Sequence, residues 1–346
     1  MFTKPDLKKS FNFFAKLTNQ NGIMQHTKYG LPDRKQGYSL DDNARALIVA
    51  IAWYKLFKNK KGLELARIYL AWLIHAKTDS GYFANFSSFD NVLKKELSED
   101  GFGRAFWALS YAYWAKVRND LTSPAKTIVD EVAHNLVSIQ SPRALAYCLL
   151  GLSYLHLADP DKAEWKEKME ILADKLVDLF KKYSTEDWIW FEHIIAYSNH
   201  LLPLGLLKAY SIVNKADYKA VGLKTLDFVE GESRLNAVPA PVGSNGWFVK
   251  DGERATYDQQ PIEASEAVLA HLAAFEITNN PSYKQKAQDW ADWYMGNNIQ
   301  KVSLIDTETG GCYDALMSHG VNKNEGAESI IAFLMTQLAV SDRDVF

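Results

Sequence analysis

Short stretches of this chain gather arginine, amide and aromatic side chains, and most of them hold acidic residues as well. The first four are Gly37-Tyr38-Ser39-Leu40-Asp41-Asp42-Asn43, Ser98-Glu99-Asp100-Gly101-Phe102-Gly103-Arg104, Ser141-Pro142-Arg143 and Trp188-Ile189-Trp190-Phe191-Glu192-His193. Asn245-Gly246-Trp247 comes next, then Arg254-Ala255-Thr256-Tyr257-Asp258-Gln259-Gln260-Pro261-Ile262-Glu263. The last runs from Thr309-Gly310-Gly311-Cys312-Tyr313-Asp314 to Asn322-Lys323-Asn324-Glu325-Gly326-Ala327-Glu328. This mixture suits a sugar. Aromatic faces stack on the C–H surfaces of a pyranose, amides and guanidinium groups hold hydroxyls, and paired carboxyl groups transfer protons.

Each residue also has a simpler reading. Ser39-x-x-Asp42 has the form of a capping box, so Asp41 or Asp42 can serve a helix start. Glu99 and Asp100 can answer a helix dipole, and Arg143 directly after Pro142 can be a plain first-turn residue. Gly101-Phe102-Gly103-Arg104 is too short for a dinucleotide fingerprint and follows no strand. Glu266 and His271, inside an apolar run, read as satisfied core groups. Glu192 is harder to dismiss, because Trp188, Trp190 and Phe191 surround it with the apolar setting a general acid needs. Pro261 suits the first helical position, which leaves Asp258 in the loop and Glu263 in the first turn.

The elements that must carry these residues are helices of two alternating kinds. In 163–182, Trp165, Met169, Leu172, Leu176 and Phe180 recur every three or four residues, with charged residues opposite. That is an amphipathic helix with one wet face. Segments 5–19, 62–77, 123–138, 216–229 and 282–295 share the pattern. The second kind is apolar nearly all round: 44–57, 105–115, 142–157, 201–213, 261–277 and 327–340. A helix without a polar face is buried against other helices. Six of each in alternation predict a closed (α/α)6 toroid, all-α, with the apolar set as inner ring and a short β-ribbon near 247–257. We find no composition break, so residues 1–346 read as a single domain. The long acidic and aromatic stretches lead into the inner helices and therefore open on one face.

Composition narrows the function further. Gly (19) and Pro (10) are sparse, and 17 Phe, 17 Tyr and 10 Trp exceed what a core of this size needs. A net charge of −3 removes the electrostatic footprint of a nucleic-acid binder. The longest apolar run is about half a membrane span, so no membrane partner is expected. The two cysteines lie far apart and the eight histidines show no metal spacing, so neither a disulfide framework nor a metal is expected. No cofactor motif is present, and strands do not alternate with helices as a nucleotide-sugar-binding half requires. The expected compartment is a reducing cytoplasm.

Gly37-Tyr38-Ser39-Leu40-Asp41-Asp42-Asn43-Ala44-Arg45-Ala46-Leu47 resembles the GY-x-x-DDNARAL signature of the six-hairpin glycosidase-like superfamily. More narrowly, it resembles a bacterial group whose members are labelled glycosyltransferase or glycosidase. The blocks beginning Glu99-Asp100-Gly101, Tyr257-Asp258-Gln259 and Asn322-Lys323-Asn324 are similar to that group's other blocks. The resemblance implies the same toroid and carbohydrate chemistry on a mannose-containing, β-linked substrate; it carries over no catalytic assignment.

The expectation is an intracellular glycoside hydrolase acting on a short oligosaccharide or glycoconjugate. Asp42, Asp100, Glu192, Asp258 and Glu263 should ring one pocket at the N-terminal face of the inner helices. Tyr38, Phe83, Trp190 and Trp247 should form its walls, with Arg104 and Gln259 contacting hydroxyls or a carboxylate. Glu192 is the expected general acid and Asp258 the base or nucleophile, with inversion favoured. A sugar phosphorylase using Arg104, Arg143 or Arg254 is the nearest alternative. A non-catalytic sugar-binding partner of a glycosyltransferase is another. An epimerase is less favoured, since it calls for paired histidines at the centre.

Overall fold

The computed structural model describes residues 6–346. Among them are twelve α-helices in two sets. The inner set is α2 (Leu40–Phe57), α4 (Glu99–Ala115), α6 (Pro142–Ala158), α8 (Leu201–Val213), α10 (Pro261–Thr278) and α12 (Ala327–Ser341). The outer set is α1 (Leu7–Lys16), α3 (Lys60–Ala76), α5 (Asn119–Val132), α7 (Ala163–Tyr183), α9 (Ala216–Glu232) and α11 (Pro281–Trp293). Every helix expected from periodicity is present, in the expected ring, although the segment expected over 123–138 is α-helical only to Val132 and continues as a 3-10 helix over Ala133–Ser138.

Packing closes the ring. Each inner helix lies against the next, and α12 returns to α2. Each of α3, α5, α7, α9 and α11 packs on the inner helix before it, whereas α1 packs on α12. The first and last helices thus complete the circle together. Small residues let the inner helices approach: a Cβ on Gly103 of α4 would lie 3.0 Å from the Ala144 carbonyl of α6. The buried apolar side chains form one connected cluster drawn from all twelve helices. None of the described helices is long and apolar enough to cross a membrane.

The ends of the inner helices differ in a way that sets the site. At their C-termini, Lys58, Lys116, Asn214 and Asn279 adopt left-handed backbone, which stops the helix and turns the chain sharply into the outer partner. At the N-termini the connections are long. Ser39 and Ser98 cap α2 and α4 through their hydroxyls, and Pro142 and Pro261 occupy the first positions of α6 and α10.

Short two-stranded ladders stiffen these connections. The ribbon expected near 247–257 takes another form. Phe248–Val249 pairs antiparallel with Ile194–Ile195, so it ties the approach to α10 to the approach to α8. Trp247, in left-handed backbone, and the bond from Ala255 N–H to the Trp247 carbonyl turn the stretch back before a local hairpin forms.

Candidate functional site

A cavity of about 720 Å³ opens at the N-terminal face of the inner ring. All six inner helices contribute to it at or near their starts: Asp41, Asp100, Ser141, Ser198, Gln260 and Glu328. Glu99, Arg104, Tyr197, Trp247 and Ile262 are also among its lining residues. Six helix N-termini converge on one space, and their dipoles favour the acidic side chains placed there.

The accessible layer is held by specific bonds. Arg104 Nη1 lies 3.0 Å from Asp41 Oδ2, with the guanidinium buried and the carboxylate 39% exposed. Asp100 accepts from the Ser141 hydroxyl at 2.5 Å and from the Tyr197 hydroxyl at 2.6 Å. Glu99 accepts the backbone N–H groups of Gln140 and Ser141. Glu328 pairs with Arg45 at 2.9 Å. Tyr197 and Trp247 stand 6.5 Å apart at the rim, and Arg143 stacks over the Tyr197 ring. Together they offer carboxylates, a guanidinium and an aromatic platform around one polyhydroxylated ligand.

Beneath lies a second, buried layer. The Ser39 hydroxyl donates to Asp42 Oδ2 at 2.6 Å, and burial, more than the nearby Arg45 can offset, pushes Asp42 up to about 7. Glu263 accepts from the Ser198 N–H at 2.5 Å and from the backbone and side-chain N–H groups of Asn199. Burial outweighs these three donors and raises it to about 7. Glu266, one turn further along α10, accepts from the Tyr147 hydroxyl at 3.0 Å. Its second oxygen has no partner, and burial followed by the charge of Glu263 raises it to about 8. Arg45 and Arg104 stay cationic: burial opposes their charge, but the surrounding carboxylates outweigh it.

The expected site residues divide three ways. Asp100, Arg104 and Trp247 line the cavity. Asp42 and Glu263 sit under its floor rather than in it. The others are elsewhere. Glu192 Oε2 lies 2.6 Å from Arg143 Nη1, so an ion pair replaces the apolar enclosure expected of the general acid. The tryptophans turn away from its carboxylate: Trp188 donates to the Glu192 main-chain carbonyl and Trp190 to that of Ile194. Asp258 is not among the lining residues, and Arg254 donates to the carbonyls of Glu232 and Ala240.

Tyr38, Phe83 and Trp190 are fully buried core residues and form no cavity wall. Gln259 is also fully buried. Its backbone pairs with Leu316, and its side chain bonds to the Thr256 carbonyl and the Trp293 indole.

Two of these differences are shifts by one residue. Asp41, not Asp42, reaches the cavity, and so does Gln260 rather than Gln259. The capping box held the signal: it consumes Asp42, and one residue earlier on a helix points about 100° away. Tyr197 and Ser198 lie outside every stretch read from the sequence, and Glu328, which ends the last of them, was given no role there. Ser198 adopts left-handed backbone (φ 49°), which no local sequence pattern announces. For Glu266 the signal was a second carboxyl one turn after Glu263 on an otherwise apolar helix.

One set of side chains has donors suited to a metal. His200, Glu230 and His271 are buried, with one ligand atom from each lying within 4.8 Å of the others. None of the three lines the cavity; they lie where α8 and α10 meet α9 and α11. Glu230 is already engaged by His271, Trp290 and Arg234. Arg234 supplies the counter-charge, while both ring nitrogens of His200 and Nδ1 of His271 are buried without a hydrogen-bond partner. Burial lowers His200 to about 3, so its ring is neutral there.

No protein-family model matches the chain, and no curated protein sequence matches it. Solved structures do. A sugar epimerase from a ruminal bacterium superposes with a TM-score of 0.76 at 13% identity, covering 97% of this chain and 98% of its own. A GH76 α-mannanase of Bacteroides thetaiotaomicron gives 0.71 at 12% identity, over 98% and 95%. An inactive variant of the Salegentibacter sp. HEL1_6 α-1,6-mannanase, with two aspartates changed to alanine and α-1,6-mannotetrose bound, gives 0.66 at 11%, over 97% and 96%. At this identity the likeness establishes the (α/α)6 toroid and leaves the chemistry to the site.

Proposed function

We propose that the protein is a carbohydrate-active enzyme, specifically a glycoside hydrolase for a short, neutral, mannose-containing oligosaccharide. The carrying observation is the single cavity at the six inner N-termini, where Asp41, Glu99, Asp100 and Glu328 meet Arg104 and the Tyr197–Trp247 rim. Its similarity to toroids named for mannan hydrolysis supports the same reading.

Glycoside hydrolysis needs one carboxylate to act on water or on the anomeric carbon, and one proton donor for the leaving oxygen. Asp41 and Asp100 lie where a sugar can touch them, with Arg104 steadying Asp41 and Tyr197 steadying Asp100. We assign them the base or nucleophile role and the positioning of the sugar. The acid function belongs to the buried layer, where Asp42, Glu263 and Glu266 are all shifted into the neutral range.

The alternatives fare less well on the same residues. Phosphorolysis needs a free cation, yet Arg104 pairs with Asp41, Arg143 with Glu192, and Arg254 is bonded to carbonyls. Four acidic residues against one arginine also repel phosphate. Epimerisation by a histidine pair would place imidazoles at the cavity. The two that come together, His200 and His271, have ring centroids 6.0 Å apart but are not among its lining residues. Hydrolysis is tested by incubating the protein with manno-oligosaccharides, with and without phosphate, and identifying the products.

A further inference from the structure

The fold brings together three residues that no spacing in the sequence links. His200 directly precedes α8, Glu230 lies on α9 and His271 on α10. All three are almost fully buried. Neither nitrogen of His200 has a hydrogen-bond partner, and neither does Nδ1 of His271. An imidazole carries at least one N–H and, when neutral, one lone pair, so burying both nitrogens unpaired is unfavourable. Packing gives no other reason for a histidine at this position. The His200 ring meets those of Trp290 and His271 edge-on, at 5.3 and 6.0 Å, contacts that a phenylalanine would make equally well.

We propose that His200, Glu230 and His271 bind a divalent transition-metal ion, zinc by the choice of donors, which ties α8, α9 and α10 together. Two imidazole nitrogens with one carboxylate oxygen suit zinc, whereas calcium and magnesium take oxygen ligands. The site owes nothing to the hydrolase reading, and its test needs no sugar.

One ligand atom from each residue lies within 4.8 Å of the others. Zinc bonds of about 2.0–2.2 Å need those atoms roughly 3.5 Å apart, so closing on the ion asks each side chain to move by less than about 1 Å. The supporting bonds are already in place. Trp290 donates to Glu230 Oε2 at 2.8 Å and Arg234 donates to Oε1, which fixes the carboxylate as outer partners fix metal ligands in general. His271 Nε2 also lies 2.8 Å from Glu230 Oε2, and this one contact opens to admit the ion. Asp289 pairs with Arg234 at 3.1 Å, so the guanidinium has a second carboxylate and Glu230 is free to serve the metal. The ion's effect reaches the cavity through one turn. His200 follows Tyr197, which lines the cavity, and Asn199, which donates to Glu263. Holding the His200 ring fixes the start of α8 and this turn with it.

The test exposes EDTA-treated protein to zinc sulfate, removes the excess by gel filtration and counts the retained metal by mass spectrometry. Wild type should keep about one zinc per chain and melt at a higher temperature for it. His200→Phe keeps the ring volume, removes only unpartnered nitrogens and should fold as well as metal-free wild type. It should bind zinc at least ~100-fold more weakly, beyond what the loss of an outer partner costs, and gain no melting temperature from it.

Cobalt(II) in place of zinc should give wild type the visible bands of a four- or five-coordinate ion, and the variant should lack them. Zinc-edge X-ray absorption on wild type needs no variant and should show two imidazole ligands. Failure of wild type to keep zinc, equal retention by His200→Phe, or a shell of oxygen ligands alone would overturn the site.

Discussion

Replacing Glu266 by Gln keeps the shape of the side chain and removes its proton equilibrium. Folded, the carboxyl titrates at about 8, against 4.5 for the free group. Between those values the folded protein holds a proton that the unfolded chain has released. Wild-type stability therefore falls as pH rises from about 4.5 to about 8. Each unit is worth about 1.4 kcal/mol, which sets a ceiling of about 5 kcal/mol over the window. Glu263 shares the titration and remains in the variant, so the measured share lies below that ceiling. Gln cannot ionise and has no such slope. Urea unfolding followed by tryptophan fluorescence, from pH 4.5 to 8.5, reads the difference directly. The variant should gain on wild type steadily with pH and level off above pH 8. Parallel curves would refute the placement of a neutral carboxyl at Glu266.

Asp41→Asn and Asp100→Asn should each lower turnover by ~10²-fold with the fold intact, checked by kinetics alongside circular dichroism. Glu192→Gln should instead cost ~3 kcal/mol in urea unfolding, because it leaves the buried Arg143 guanidinium facing an amide. Trp247→Ala should weaken sugar binding ~10-fold in calorimetric titration, by removing one half of the rim platform. Gly37→Ala should destabilise by ~2 kcal/mol or more, read as a lowered melting temperature. Its φ is +69° and a Cβ would sit 2.1 Å from the Ser87 carbonyl.

The helices were legible because their signal is long. The apolar faces of 163–182 and the all-apolar run of 327–340 repeat over several turns, and burial alone decides them. The face that carries the site was legible for the same reason, since long connections collect where the inner helices begin. Individual site residues were not. Asp41 against Asp42 and Gln260 against Gln259 turn on a single residue of register. Trp190 lies close to Glu192 in sequence, yet it packs on Phe191 and Phe228 inside the wall. Glu192 met its arginine only through α6, 49 residues away in the chain. Glu266 was read as a satisfied core group because its unpartnered oxygen is a tertiary fact.

The central claim is that the six-helix cavity hydrolyses a glycosidic bond. The direct measurement is product analysis, by anion-exchange chromatography, after the protein meets linear manno-oligosaccharides in phosphate-free and phosphate-containing buffer. The account predicts shorter reducing sugars at the same rate in both buffers, and their loss in Asp100→Asn. A sugar 1-phosphate formed only with phosphate, an epimerised sugar of unchanged length, or cleavage undiminished in Asp100→Asn would contradict it.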